Sequence, residues 1–376
     1  MRNEYFDDLR PYYDDEISAA MYRIADNMYL PSVAPFVFPE KTVEEVKEIL
    51  RACSTTYEFQ SRVMVPLSKQ IIKRTITRFS HDGLDNLSRD KEYLFVANHR
   101  DIVLDSALLQ YILHTSGFRT TEITFGSNLM NPEFVVDIGK SNKMFKVIRG
   151  GNAKDFYRNS LHLSEYMHHA LHEKKESLWI AQRNGRTKNG IDATDQGIIK
   201  MFYMGSPETP AKALAGLNIV PLSISYLWEP CDKLKALELY ESAREGKYTK
   251  RPGEDLNSIL TGITQLKGDV HISIGKPLST EDLEPLASLP NSRFNKQVAL
   301  LIDKQILRNY KLTCNNYIAH DIRSQETRHA RHYTEAEKDA FMQYYRDILR
   351  SDVEDKKMLG DLFLGIYANP TDSRLQ

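Results

Sequence analysis

Cysteine is scarce in this chain of 376 residues. Cys53, Cys231 and Cys314 are far apart, form no C-x-x-C pair and leave an odd count. That excludes a disulfide framework and a cysteine-based structural zinc site, and it points to reduced thiols in a cytoplasmic compartment. Long apolar runs are missing as well. No window approaches the roughly 18 uninterrupted apolar residues of a membrane-crossing helix, and Ile219 to Trp228 is among the longest runs. The opening Met1-Arg2-Asn3-Glu4-Tyr5-Phe6-Asp7-Asp8 lacks the apolar stretch of a secretory leader. Charge of one sign is not in excess either: 50 Lys and Arg balance 51 Asp and Glu, which argues against a globally basic nucleic-acid binder. The Walker loop, G-x-G-x-x-G, G-x-S-x-G and the kinase motif set do not occur, so nucleotide binding and α/β-hydrolase chemistry lack support. Internal repeats, low-complexity tracts and long flexible linkers are also absent.

What remains is the composition of a soluble globular protein, long enough for two or three domains or for one large domain with helical additions. Its charge is unevenly spread. Residues 140–188 hold eleven Lys and Arg against four Asp and Glu, while the first sixty residues lean acidic. A neutral protein with a basic middle suits a local anionic ligand better than a polyanion.

Residues 1–85 read as a mostly helical N-terminal region. Ile17, Met21 and Ile24 have helical spacing, and Thr42 with Glu45 forms a capping box for a helix to about Ala52. An amphipathic stretch runs from Tyr57 to Phe79 with a basic end at Lys69, Lys73, Arg74 and Arg78. The proline-containing, aromatic segment from Tyr29 to Phe38 reads as a loop, packed under the helices or dipping into a membrane. From 86 to 290 short strands alternate with helices, which predicts a mainly parallel, doubly wound α/β sheet with mixed strands at an edge. The expected strands are 92–97, 121–126, 144–149, 177–182, 218–226 and 269–274, with helices over 102–115, 153–174, 195–204, 231–246 and 254–266. Residues 291–376 form a C-terminal helical extension, with a helix over 293–310, a loop over 323–332 and a second helix capped by Thr334 and Glu337.

Four segments of the α/β region could carry chemistry. In Val96-Ala97-Asn98-His99-Arg100-Asp101-Ile102-Val103-Leu104-Asp105 a histidine lies where a strand hands over to a helix. Strand ends open onto a crevice there and helix N-termini aim N–H groups into it, which suits a His general base oriented by an Asp. The plainer interpretation makes Asp101 a helix cap, Asp105 an exposed helix residue and His99 an ordinary loop residue. Phe125 to Met130 and Phe145 to Gly151 form the second segment, where Arg149 before two glycines and a helix start could cradle an anion. In the third, Leu178 to Gly190, Arg183, Arg186 and Lys188 have no acid between Ser177 and Ile191 to pair with, a gap a phosphate would fill. The fourth, Asn218 to Tyr226, is a strand whose Pro221 marks an edge or a beginning. His162, His168, His169 and His172 share one helical stretch, but no acid or Cys completes a metal set, so no metal is expected.

In this order and with these gaps the segments resemble the glycerolipid acyltransferase superfamily, which includes glycerol-3-phosphate and lysophosphatidic acid acyltransferases. Asn98-His99…Asp105 is similar to that family's Asn-His-x4-Asp block, Phe145–Gly151 to its strand ending in a phosphate-binding arginine, and Ala181–Gly190 to its Glu-Gly-x-Arg loop. Val220-Pro221 matches its Val-Pro strand, and Gly275-Lys276-Pro277-Leu278 its late Gly-x-Pro-Leu. The resemblance covers about residues 90–280. Two features depart from it: five residues separate His99 from Asp105 where the family has four, and Gln182 stands where the family has glutamate. The loop therefore bulges by one residue or Asp101 is the partner of His99, with Asp105 preferred, and Arg183 and Arg186 remain rival phosphate ligands.

The resemblance implies an O-acyltransferase that moves a fatty acyl group from acyl-CoA or acyl carrier protein to a hydroxyl of a glycerophosphate, lysophospholipid or related lipid. His99 and Asp105 would be catalytic. Asn98, Arg100, Asn128 and Arg149 would contact substrate, as would Gln182, Arg183, Arg186 and Lys188. No cofactor beyond the acyl thioester is implied, nor a nucleic-acid partner. The expected location is cytoplasmic, on the inner membrane face, attached through apolar residues of the N-terminal region or through Arg74 and Arg78. The alternative is a catalytically silent lipid- or acyl-carrier-binding protein that retains the fold. An unrelated hydrolase using the same His–Asp pair would need a Ser or Cys elbow, which is missing.

Overall fold

The computed structural model describes residues 3–148 and 150–375. Helices α1 (Asp14–Ala25), α2 (Leu30–Val37), α3 (Val43–Arg51), α4 (Thr56–Phe59) and α5 (Val65–Thr75) come first. Then follow β1 (Ile76–Asp82), β2 (Leu94–Ala97), α6 (Leu104–Thr115), β3 (Glu122–Gly126), α7 (Glu133–Ser141), β4 (Met144–Val147), α8 (Ala153–His172) and β5 (Leu178–Ala181). Next come α9 (Gln196–Met204), α10 (Pro210–Gly216), β6 (Ile219–Tyr226), α11 (Asp232–Glu245), α12 (Glu254–Thr264) and β7 (Gly268–Ile274). The chain ends with α13 (Thr280–Leu283), α14 (Asn291–Asn309), α15 (Cys314–Ser324), α16 (Glu335–Leu349) and α17 (Lys356–Leu375).

The strands form one sheet in the order β1-β7-β6-β2-β5-β3-β4. Every pair is parallel except β6 with β7. Strand β6 and the four strands β2 to β5 therefore end at the same edge, and the loops that follow them meet there. Inside β2 the side chains alternate. Leu94 and Val96 face α8, α9 and α14, while Phe95 and Ala97 face α6. Both faces are covered, as a parallel sheet requires, and each large apolar side chain sealed this way contributes about 1.5–3 kcal/mol. A separate apolar cluster joins α1, α2 and α3 to Phe134 of α7, and another joins α11, α15, α16 and α17.

Three expectations fail for local reasons. The helix expected over 57–79 stops at Thr75, and Ile76 to Asp82 pair with β7 as an edge strand. Exposed Arg78 lies across from Asp269 and forms an ion pair with it, so a basic run that resembled a helix face belongs to a ladder. The segment from Tyr29 to Phe38 is helical: Leu30, Ala34 and Val37 are buried at helical spacing, and Pro31 lies in the first turn, where a missing N–H costs nothing. Pro221 is in an internal strand and fully buried. Its carbonyl accepts from Gly275 N–H at 2.9 Å, just past the end of β7, so its missing donor falls where the antiparallel ladder has already stopped. Helices α7 and α10, and beyond the sheet α13, α15 and α17, were not anticipated as individual elements. Both capping boxes, at Thr42 and Thr334, are formed.

Candidate active site

Strand β2 ends at Ala97, and the chain turns through Asn98 to Val103 before α6 begins. Asp101 Oδ1 accepts the N–H groups of Val103 and Leu104, both at 2.8 Å, and so starts the helix. Leu104, Leu108, Leu109, Ile112 and Leu113 then pack under the sheet. This places Asp105 in the first turn of α6, buried and pointing back into the loop. Its Oδ2 lies 2.9 Å from His99 Nδ1 and also accepts the N–H groups of Arg100 at 2.6 Å and Asp101 at 2.9 Å. The extra residue between His99 and Asp105 is thus absorbed by a loop wrapped around the carboxylate. Asp101 caps; Asp105 pairs.

An ionised carboxylate only accepts, so the proton between His99 and Asp105 belongs to Nδ1 and the lone pair to Nε2. Nε2 has no hydrogen-bond partner among the described residues, and the His99 side chain keeps 12% of its surface exposed. Trp179 of β5 meets the imidazole edge to face at 5.9 Å. Tyr226, the last residue of β6, donates its hydroxyl to Asp105 Oδ1 at 2.9 Å. Burial, together with the Asp105 charge, pushes the Tyr226 phenol up, so it stays a donor. Burial also raises the Asp101 carboxyl, with Asp105 adding to the effect.

The basic loop after β5 is tied to the histidine through Thr187 N–H, which donates to His99 carbonyl at 2.8 Å. Arg186 is only 9% exposed, and its Nη1 is buried without a partner. An orphaned buried guanidinium donor is costly, and an anion would satisfy it. Arg183 is half-buried and makes no hydrogen bond or ion pair among the described residues. Lys188 is paired with Glu238 of α11, and burial lowers its ammonium pKa. Asn128 is exposed and donates to Asp255 of α12 at 3.1 Å. Arg149 lies outside the described residues.

Three residues expected to contact substrate belong instead to the scaffold. Asn98 is fully buried and bridges β2 to β6: its Oδ1 accepts from Ile224 N–H at 2.8 Å, and its Nδ2 donates to Ile224 carbonyl at 3.0 Å. Arg100 is also fully buried, with Nη2 on Asp192 at 2.6 Å and Nη1 on Glu229 at 3.3 Å. Burial works against its charge, but Asp192 and Glu229 outweigh it and hold the guanidinium well above its ordinary range. Lys235 completes the network, reaching Glu229 at 2.6 Å and Arg100 carbonyl at 2.8 Å. Gln182 is buried beneath the loop, where its Oε1 accepts from Thr194 at 3.4 Å. Their charge and polarity suggested substrate contact; their burial shows what they hold together.

Sequence reasoning passed over Tyr226, Trp179, Asp192 and Glu229. Only Tyr226 carried a usable signal, being the last residue of a strand that ends at the reactive edge. Surface hollows lined by His168, His172 and Pro207, and by Asp85, Ser88 and Asn218, lie at the opposite edge of the sheet, away from His99.

Residues 78–225 match the family model described as Acyltransferase. No curated protein sequence matches the chain. Among solved structures, the 1-acyl-sn-glycerophosphate (LPA) acyltransferase PlsC from Thermotoga maritima is similar over 78% of this chain and 94% of its own, with 13% sequence identity and a TM-score of 0.38.

Proposed function

We propose that this chain, whose residues 78–225 match the Acyltransferase family model, is a glycerolipid-type acyltransferase that moves a fatty acyl group from a thioester to the hydroxyl of a phosphate- or carboxylate-bearing lipid acceptor. One relationship carries this reading. The His99–Asp105 pair at 2.9 Å is held on the same loop system as Arg186, whose Nη1 is buried without a hydrogen-bond partner.

A thioester is already activated, so the enzyme has to deprotonate the alcohol and orient the two partners. His99 Nε2 takes the acceptor hydroxyl proton as the oxygen attacks the thioester carbonyl carbon. The C–O bond forms and the carbonyl electrons move onto oxygen. When the tetrahedral intermediate collapses the C–S bond breaks, and the departing sulfur receives the proton from the imidazolium. Asp105 holds the tautomer and stabilises the imidazolium through Nδ1–H. Arg186, with Arg183 on the same loop, would anchor the acceptor anion and so set the distance between its hydroxyl and Nε2. The donor would be acyl-CoA or acyl carrier protein, and no further cofactor enters these steps.

No helix among the described residues is long and apolar enough to cross a membrane. A lipid acceptor nevertheless has to be reached at a surface. We assign that contact to the inner membrane face, through exposed Met28 and Tyr29 just before α2, exposed Val33 within it, and the exposed cations Arg74 and Arg78. Purified protein assayed with labelled acyl-CoA and acyl carrier protein against lysolipids and glycerophosphates tests the reading. Acylation of an anionic acceptor supports it; acylation of uncharged alcohols alone contradicts the role of Arg186. Recovery with anionic liposomes on flotation supports the membrane contact, and its absence contradicts it.

A further inference from the structure

In the C-terminal helical extension, three residues that the catalytic reading does not use converge. They are His320 and Asp321, near the end of α15, and His329 in the turn that follows. Each offers one ligand atom, and these atoms lie within 4.8 Å of one another. Their hydrogen bonding leaves a gap. His320 Nε2 lies 3.1 Å from Asp372 Oδ1 on α17, and the carboxylate accepts, so Nε2 carries the proton and Nδ1 the lone pair. That Nδ1 is buried, has no hydrogen-bond partner, and faces Asp321 Oδ1 at 3.6 Å. Two acceptors thus look at each other with no donor between them. His329 is 8% exposed, and its Nε2 is a further buried nitrogen without a partner.

The carboxylate itself is rigidly placed. Both Asp321 oxygens accept the His329 backbone N–H, at 3.2 and 2.9 Å, and Tyr333 hydroxyl donates to Oδ2 at 2.9 Å. A histidine whose far nitrogen donates to a carboxylate is the usual outer support of a metal-binding imidazole, since the bond fixes the tautomer and raises basicity. The Asp372–His320 pair supplies that support. Two imidazoles and one carboxylate form a borderline donor set suited to a zinc-class divalent ion.

We propose that His320 Nδ1, Asp321 and His329 Nε2 bind a divalent transition-metal ion of the zinc class, with water completing the shell. At ligand distances of roughly 2.0–2.2 Å the three donors would draw closer together around the ion. The ion would pin α15 and its following turn against the end of α17. Helix α17 in turn buttresses the basic loop, since Asn369 Nδ2 donates to Asn189 carbonyl at 2.8 Å and a side chain at Gly190 would meet Ile366 carbonyl at 2.2 Å. The proposal stands independently of the acyl-transfer chemistry.

The full chain, stripped with chelator, is titrated with zinc chloride by calorimetry and with cobalt(II) by visible absorption, and its melting temperature is followed. The account expects one equivalent of zinc bound, an upward melting shift reversed by chelator, and d–d bands that saturate at one cobalt. It further expects at least a hundredfold weaker binding in His329→Gln and in His320→Asn, and unchanged binding in a His168→Gln/His172→Gln control. Absence of saturable binding and of d–d bands in the wild-type chain overturns the proposal without any variant. Equal binding in His329→Gln, or binding lost only in the control, also overturns it.

Discussion

Tyr226 and His99 hold the two oxygens of one carboxylate: the phenol donates to Asp105 Oδ1 at 2.9 Å while Oδ2 faces the imidazole at 2.9 Å. The end of β6 therefore sets the angle at which a side chain of α6 addresses a histidine after β2. Removing the hydroxyl in Tyr226→Phe leaves a buried carboxylate oxygen unsatisfied, costing about 1–3 kcal/mol of stability. If about 1 kcal/mol of that is lost in orienting the imidazole, kcat falls roughly fivefold. Denaturant melts and steady-state rates on the same preparation check both numbers; unchanged kcat would remove Tyr226 from the positioning of Asp105.

The two aspartates separate by function. Asp105→Asn replaces the acceptor of the imidazole N–H and is expected to lower kcat by about 10²–10⁴ with the fold retained. Asp101→Ala removes a cap and is expected to cost about 1 kcal/mol of stability while keeping activity within an order of magnitude. Rates and melting curves of both variants decide the assignment, and the reverse pattern would make Asp101 the catalytic partner.

Two buried arginines are expected to respond in opposite ways. Arg100→Met strips Asp192 of its buried charged partner and leaves Glu229 with Lys235 alone, and should destabilise by about 3–5 kcal/mol. Arg186→Met removes a charge with an orphaned donor, so its melting temperature holds or rises, while KM for an anionic acceptor climbs about 10–100-fold with kcat little changed. Equal KM in wild type and Arg186→Met would transfer the anion to another group.

Lys267 gives a pH signature. Its ammonium is buried, and burial lowers its pKa to about 8, with Asp101 offsetting part of the effect. Between about 8 and the ordinary 10.5 the unfolded chain binds the extra proton, so this group makes stability rise with pH across that window and reduces it below. The full drop corresponds to roughly 3 kcal/mol. Unfolding free energies of wild type and Lys267→Met at pH 7.5 and 10 should therefore diverge by up to that amount, wild type gaining relative to the variant at high pH. A constant difference would contradict it.

Much of this architecture was legible because short apolar runs alternated with helical spacing, and the four strands β2 to β5 fall where those runs lie. Strand β1 was not legible: its alternation is read only against β7, nearly two hundred residues later, and its arginine looked like the end of a helix. Pro31 and Pro35 hid α2 although Leu30, Ala34 and Val37 carried the period. At the site, residue type marked His99 and Asp105 but could not tell a substrate-facing arginine from a buried one. Arg100 and Arg186 are chemically identical in the sequence. Only tertiary placement shows that Asp192 and Glu229 neutralise the first and that Nη1 of the second is buried without a hydrogen-bond partner.

The most direct test is the rate of acyl transfer by His99→Ala, measured with the thioester donor and acceptor that wild type uses, on protein whose melting curve matches wild type. The account predicts a fall in kcat of at least about 10²-fold with KM for the acceptor nearly unchanged, because Arg186 still holds the anion. Full activity in that variant would contradict it.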